Sequence, residues 1–334
     1  MTWDVAGLGN AIMDALVILD DDTLLNDLGL TRGTMHPVDH DRWQEIFAHV
    51  ERQKVPVTFA SGGSCANTIA TVGELGGHAI YRGQVGSDAM GEMYAELIEK
   101  ACGQHALAFA KGASTGKCLS IISRADAERT MVTDLGASIH LPGLGDFAAQ
   151  LERTKVAHFT GYTLLGGPMK DTVYDAMRLA KASKALISVD AADPFVVHEI
   201  RDVFWSVLRE FADIVFLNEE EARSLSERHD AEDACRSIAD QAGLTTTIVK
   251  LGGRGSLVLH EGELIRVPIH AVDAVDTTGA GDAYAGGYLF GLTRGWGPTK
   301  CGALATRIAG RTVAQIGAVV QDREALAALI AEVD

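Results

Sequence analysis

The chain has 334 residues, 47% of them hydrophobic and 22% charged, and 45 acids against 29 bases give it a net charge of −16. That length supplies a core needing no disulfide or metal support, and the acidity argues against a nucleic-acid or anionic-membrane partner. Five cysteines, at 65, 102, 118, 235 and 301, form no CxxC pair and suggest neither a disulfide framework nor a zinc site. With no basic-then-apolar leader and no run of about 18 apolar residues, the expectation is a cytoplasmic protein.

Strand-like and helix-like runs alternate, the pattern of a parallel sheet with helices on its faces. Residues 3–9 suggest a buried strand and 15–19 a second, ending in the acidic turn Asp20-Asp21-Asp22. Helix is expected at 39–53, 64–75 and 88–101, with strand at 79–85. From 107 to 136 the texture changes to hairpins, with β-forming runs at 107–110, 117–123 and 130–134 joined by polar turns such as 124–126. Together with 15–38 this segment is expected to form a small β flap on a single domain spanning 1–334; such flaps commonly close over substrates. Strands then follow at 156–159, 185–190 and 214–217, with helices at 169–182, 195–209, 219–226 and 231–242. A meander over 246–268 precedes helices at 283–292, 298–316 and 322–333.

Four stretches could carry chemistry. Asp276-Thr277-Thr278-Gly279-Ala280-Gly281-Asp282 joins a small-residue turn to a helix start, where free N–H groups and the dipole favour an anion. A carboxylate there is suited to accepting a proton from a substrate hydroxyl, although Asp282 reads equally as an N-cap. Ser61-Gly62-Gly63-Ser64-Cys65-Ala66-Asn67 is a second glycine turn entering a helix, with Ser64 a plain N-cap on the simpler reading. Asn218 and Glu221 share one helix face, where they could hold a hydrated Mg²⁺ or merely complement the dipole. Lys250-Leu251-Gly252-Gly253-Arg254-Gly255 is either a hairpin turn or a backbone surface for a nucleotide.

Near the N-terminus, Gly7-Leu8-Gly9-Asn10-Ala11-Ile12 lacks the third glycine and the helix of a dinucleotide site. It places Asn10 and Asp14 past the carboxyl end of the first strand, where open α/β sheets bind ligands. Asp14 offers two acceptor oxygens to vicinal hydroxyls, or is a turn acid. No Walker A loop, HExxH or Gly-x-Ser-x-Gly elbow occurs.

In chain order, with 61–67, 218–221 and 250–255 preceding 276–282, the four stretches resemble the PfkB (ribokinase-like) carbohydrate and nucleoside kinase family over essentially the whole chain. The segment 62–67 is similar to its N-terminal signature and 276–282 to its C-terminal one. The resemblance implies an α/β three-layer ribokinase-like sandwich with a mostly parallel central sheet and a small β-sheet lid. It implies ATP and Mg²⁺, with Asp282 as general base and Gly279, Ala280 and Gly281 as anion hole. Asn218 and Glu221 would be the magnesium and phosphate element, the metal held through water. Lys250, Gly252, Gly253, Gly255, Thr277 and Asn218 would line the ATP site, and Asn10, Asp14, Gly62, Gly63 and Asn67 would bind sugar hydroxyls. Family members often use a monovalent cation, K⁺ for instance, which carries over to Asp276 and Thr278 together with carbonyls around Gln315 and Gly317.

Within the family, 9–14, 218–222 and 315–317 look most like bacterial adenosine-kinase-type members, and Phe109, Tyr162 and Phe195 are candidates to face a base or to be core. A carbohydrate acceptor such as ribose, fructose or a keto-deoxy sugar acid stays open, as does a non-catalytic nucleotide or nucleoside sensor. The flap edge offers a surface for a second copy of the chain.

Overall fold

Eight strands build a large sheet in the computed structural model, which describes residues 2–125 and 128–333. Their order is Glu263–Val267, Ser256–His260, Thr246–Lys250, Ile214–Asn218, Leu186–Asp190, Thr154–Thr160, Trp3–Leu8 and Ala79–Arg82. The six strands from Thr246–Lys250 to Ala79–Arg82 pair parallel, and Ser256–His260 pairs antiparallel with both Thr246–Lys250 and Glu263–Val267, as the meander predicts. Successive side chains of a strand point to opposite faces, so Val5 and Val156 enter one core while Ala6 and Ala157 enter the other. The first core also takes Ile69, Tyr284 and Leu289 from helices, and the second takes Met177, Phe204 and Ile238. Helices therefore cover both faces, giving the three-layer α/β sandwich, and each fully buried Val, Leu, Ile or Phe contributes roughly 1.5–3 kcal/mol.

A second sheet of five strands runs in the order Met35–Pro37, Arg129–Asp134, Gly116–Ser123, Ile12–Leu19 and Thr58–Gly62. One of its faces carries Ala15, Val17, Leu119, Ile121 and Val132 and packs on Leu24, Leu28, Trp43 and Phe47 from two helices. The pleat puts Asp14, Leu16, Ser120, Arg129 and Met131 on the other.

Several elements differ from expectation. The strand expected at 15–19 begins at Ile12, so Asp14 lies within a strand instead of a turn. The run at 79–85 divides at Gly83: Ala79–Arg82 stays in the large sheet, while Gln84–Gly86 pairs with Ala108–Ala110 in a separate ribbon. Residues 107–110 thus do not join the five-stranded sheet, and Thr58–Gly62, unforeseen as a strand, does. The helix expected at 195–209 is two, Pro194–Glu199 and Arg201–Glu210, parted at Ile200 with φ −124°. Asp126, the end of the expected turn 124–126, lies outside the described residues. Among the described residues no helix is long and apolar enough to cross a membrane.

Candidate active site

Close helix packing assembles the site. Helix Ala280–Thr293 lies on helix Ser64–Glu74 because Gly286 offers no side chain; an added Cβ would stand 2.7 Å from Thr71 Cβ. Thr68 Oγ1 donates to the Asp282 carbonyl at 3.2 Å, and Asn67 Nδ2 donates to Asp282 Oδ2 at 2.8 Å. The two glycine turns, more than two hundred residues apart in sequence, meet through these bonds.

The same geometry removes the simpler readings of both turns. Gly279, at φ 70°, is the N-cap residue of Ala280–Thr293, and Asp282 lies in the first helical turn with its carboxylate on Asn67. Gly63, at φ 95°, is the N-cap residue of Ser64–Glu74, so Ser64 is helical and its hydroxyl turns to Asp282. A Cβ on Gly279 would lie 2.4 Å from Ala318 Cβ, which accounts for glycine beyond its φ. Burial pushes the Asp282 carboxyl up to about 6, against the hydrogen bonds from Asn67 and Ser64 that favour its charge. An acid so tuned can hold or release a proton near neutrality. The first N–H groups of a helix have no intrahelical acceptor; that of Ala280 makes a long 3.3 Å bond to the Thr277 carbonyl.

Asn10 and Asp14 occur where the chain leaves the large sheet for the small one. Gly62 and Gly63 pack directly on them: added Cβ atoms would lie 2.2 Å from Asp14 Oδ2 and from the Asn10 carbonyl oxygen. Asn10 Nδ2 donates to the Ser138 carbonyl at 3.3 Å. Burial raises the Asp14 carboxyl to about 7, with Arg129 opposing and Asp282 reinforcing the rise. Asp14 is therefore within electrostatic reach of the anion turn. Asn67 Oδ1 is buried and makes no hydrogen bond, an acceptor that a substrate hydroxyl would satisfy.

The residues expected at the phosphate and metal positions divide. Asn218 and Glu221 form a reciprocal capping box: Asn218 N and Nδ2 donate to the two Glu221 oxygens at 2.6 and 2.7 Å, and Asn218 Oδ1 accepts from Glu221 N at 2.8 Å. Each carboxylate oxygen already accepts one bond, which fits Mg²⁺ held through water and leaves little for direct ligation. Among the described residues no cluster of three or more metal-ligating side chains occurs. Asp276 ties together three of the four residues expected around a monovalent cation: Oδ1 accepts from Thr278 N and Oγ1 at 2.9 and 2.5 Å, and Oδ2 accepts from Gly317 N at 3.0 Å. The Gln315 side chain bonds to Arg311 and to the Val319 carbonyl, so what this position can offer a cation is its backbone carbonyl.

Gly252 and Gly253 face open space, whereas Gly255 packs so closely that a Cβ would lie 2.1 Å from the Val267 carbonyl oxygen. Thr277 is exposed beside the turn. Of the aromatic candidates, Tyr162 OH donates to Asp193 Oδ2 at 3.1 Å, and Asp193 Oδ1 accepts the Phe195 N–H at 2.7 Å. Phe195 and Phe109 are 53% and 45% exposed, so neither is core. Phe109 sits on the two-stranded ribbon, in register with Val85.

Two site residues escaped the sequence. Arg129, on the Asp14 face of the small sheet, donates to Thr278 Oγ1 at 2.7 Å and brings a guanidinium to the anion turn. Asp190 accepts from Lys250 Nζ at 2.8 Å. It ends a strand of the large sheet, and carboxyl ends are where such sheets place ligands; that signal was present.

Residues 33–324 match the family described as pfkB family carbohydrate kinase. The chain is similar to the crystal structure of adenosine kinase from Sinorhizobium meliloti, with a TM-score of 0.87 and 34% identity over 99% of this chain and 100% of that one. It is also similar to the structure of a probable sugar kinase protein from Rhizobium etli CFN 42, with a TM-score of 0.89 and 32% identity over the whole of both chains. Among curated proteins, the adenosine kinase of Saccharomyces cerevisiae is 28% identical over 264 residues, 73% of this chain and 75% of that protein. With a match across most of its length and both glycine turns joined in one site, the chain belongs to the pfkB family of carbohydrate kinases.

Proposed function

We propose that this kinase transfers the γ-phosphoryl group of ATP to a primary hydroxyl of a ribosyl substrate, with adenosine as the acceptor. The observation that carries the chemistry is the Asn67–Asp282 bond, which fixes a carboxylate of raised proton affinity at the anion-binding start of a helix. Asp282 takes the proton as the alcohol oxygen attacks in line, and the N–H groups of Gly279, Ala280 and Gly281 receive the charge spreading over the transferring group. Bound through water near Asn218 and Glu221, Mg²⁺ would neutralise phosphate charge. Asn67 and Asp14 orient the sugar hydroxyls, and the small sheet acts as the lid, excluding water when it closes.

The surroundings of Asp14 favour a nucleoside over a free sugar. Leu16 and Met131 share its face of the small sheet, and Met35, paired with Met131, is 43% exposed on the same side. A nucleoside offers both complements: a ribose diol for the carboxylate and a planar base for apolar side chains. Likeness to adenosine kinases supports the same choice, while likeness to a probable sugar kinase supports a carbohydrate acceptor as the second reading. A cytoplasmic location belongs to the same proposal, since the reaction consumes ATP. A K⁺ at this turn would lie beside Asp276 and Thr278, with carbonyls around Gln315 and Gly317.

ADP release is to be measured with adenosine, guanosine, inosine, ribose, fructose and 2-keto-3-deoxygluconate. Adenosine is expected to give the highest kcat/KM. Turnover with the free sugars alone would replace the nucleoside reading by the carbohydrate one.

A further inference from the structure

Lys250 leaves the end of strand Thr246–Lys250 and crosses the end of Ile214–Asn218 to reach Asp190, where Leu186–Asp190 stops. That path brings its ammonium to the start of helix Ala280–Thr293: a Cβ on Gly281 would lie 3.0 Å from Nζ. Glycine at 281 therefore leaves room for the lysine head as well as an open amide.

The Asp190 carboxylate is itself anchored. Oδ1 accepts the Ala192 N–H at 2.9 Å while Oδ2 takes Lys250, and Ala192 stands at φ 73°, a left-handed conformation unfavourable for a residue with a Cβ. The Asp190 and Lys250 side chains are 3% and 16% exposed. Burial of two charges largely offsets their attraction, so such a pair adds little stability, and strained backbone beside it marks a functional position.

We infer that Asp190 is a positioning residue that holds the Lys250 ammonium inside the anion hole, where Lys250 acts on the phosphoryl group in transfer and not on the nucleoside part of ATP. This rests on the kinase reading above. Helix amides supply about half a unit of positive charge; the ammonium adds a full unit where charge spreads over the equatorial oxygens. The tether also decides which carboxylate Lys250 pairs with. Glu221 and Asp282 both attract it, and pairing with Asp282 would occupy the base. Asp190 keeps the ammonium beside the base without engaging it.

The test compares Lys250→Met, Lys250→Arg, Asp190→Asn and the double variant D190N/K250M with the wild type, each checked for folding by thermal melting. Lys250→Met is expected to lower kcat about 100-fold, the scale of losing an anion-hole donor, with the acceptor KM unchanged. Asp190→Asn is expected to lower kcat about tenfold alone and not at all on top of Lys250→Met, and Lys250→Arg to restore much of the loss. ADP should bind Lys250→Met as tightly as wild type, while the added affinity for ADP with fluoroaluminate falls about tenfold or more. Should Lys250→Met not fold, Lys250→Arg and Asp190→Asn carry the same comparison. Losses that multiply in the double variant, or a raised ATP KM with normal kcat, would overturn the inference. A wild type releasing no ADP with any alcohol would overturn the kinase reading itself; an active wild type with an equally active Lys250→Met would overturn only this inference.

Discussion

Replacing Asn67 by alanine removes a bond that lowers the proton affinity of Asp282. Asn67 Nδ2 donates to Asp282 Oδ2 at 2.8 Å, and burial has already raised that carboxyl to about 6 against the pull of this bond. A hydrogen bond to a charged group is worth about 1.5–3 kcal/mol, which at about 1.4 kcal/mol per unit corresponds to roughly one to two pKa units. Water admitted to the vacated space returns part of this, leaving an upward shift of about one unit. A base works deprotonated, so raising its pKa moves the acid limb of activity to higher pH. At pH 7 the ionised fraction falls from about nine-tenths to about one-half, at pH 5 the loss from protonation reaches about tenfold, and above pH 8.5 that pH-dependent part vanishes, leaving only the constant factor from the lost contact with the sugar. The assay is kcat for ADP release from pH 5 to 9 at saturating substrate. A loss by one constant factor at every pH would refute the reasoning, since Asn67 would then act on substrate alone.

Two further variants test the scaffold around the site. Gly279→Ala forces a Cβ onto a residue at φ 70° and against Ala318, so it should melt earlier by roughly 1–2 kcal/mol of stability and lose about 100-fold in kcat; normal kinetics and melting would show that the turn tolerates a side chain. Lys117→Met removes the ammonium that meets Asp134 Oδ2 at 2.7 Å, leaves that carboxylate the Gly136 N–H and the nearby His40, and should lower denaturant stability by about 3 kcal/mol. A change below about 1 kcal/mol would mean that Asp134 finds another partner.

The alternation of apolar strands and amphipathic helices made the large sheet legible, because strands buried on both faces read as apolar runs such as 214–217 and, interrupted only by His158, 156–159. The small sheet was harder. Thr58–Gly62 is short and half-buried, with no alternation to betray it, and Ala108–Ala110 looks like flap yet pairs with Gln84–Gly86. Local sequence cannot choose between strand partners of equal propensity. At the site, Asp282 and the glycine turns announced themselves by composition, whereas Arg129 and Asp190 did not. Their partners, Thr278 and Lys250, are 149 and 60 residues away, and only the fold brings them together.

Asp282→Asn tests the central claim most directly. Asparagine keeps the shape and can still accept from Asn67 through its carbonyl oxygen, but it cannot take the proton of the attacking hydroxyl. With adenosine and ATP, kcat is expected to fall about 10²–10⁴-fold, while the dissociation constants of both, measured by calorimetry, stay within a few-fold of wild type. Near-normal turnover in that variant would contradict the role assigned to Asp282.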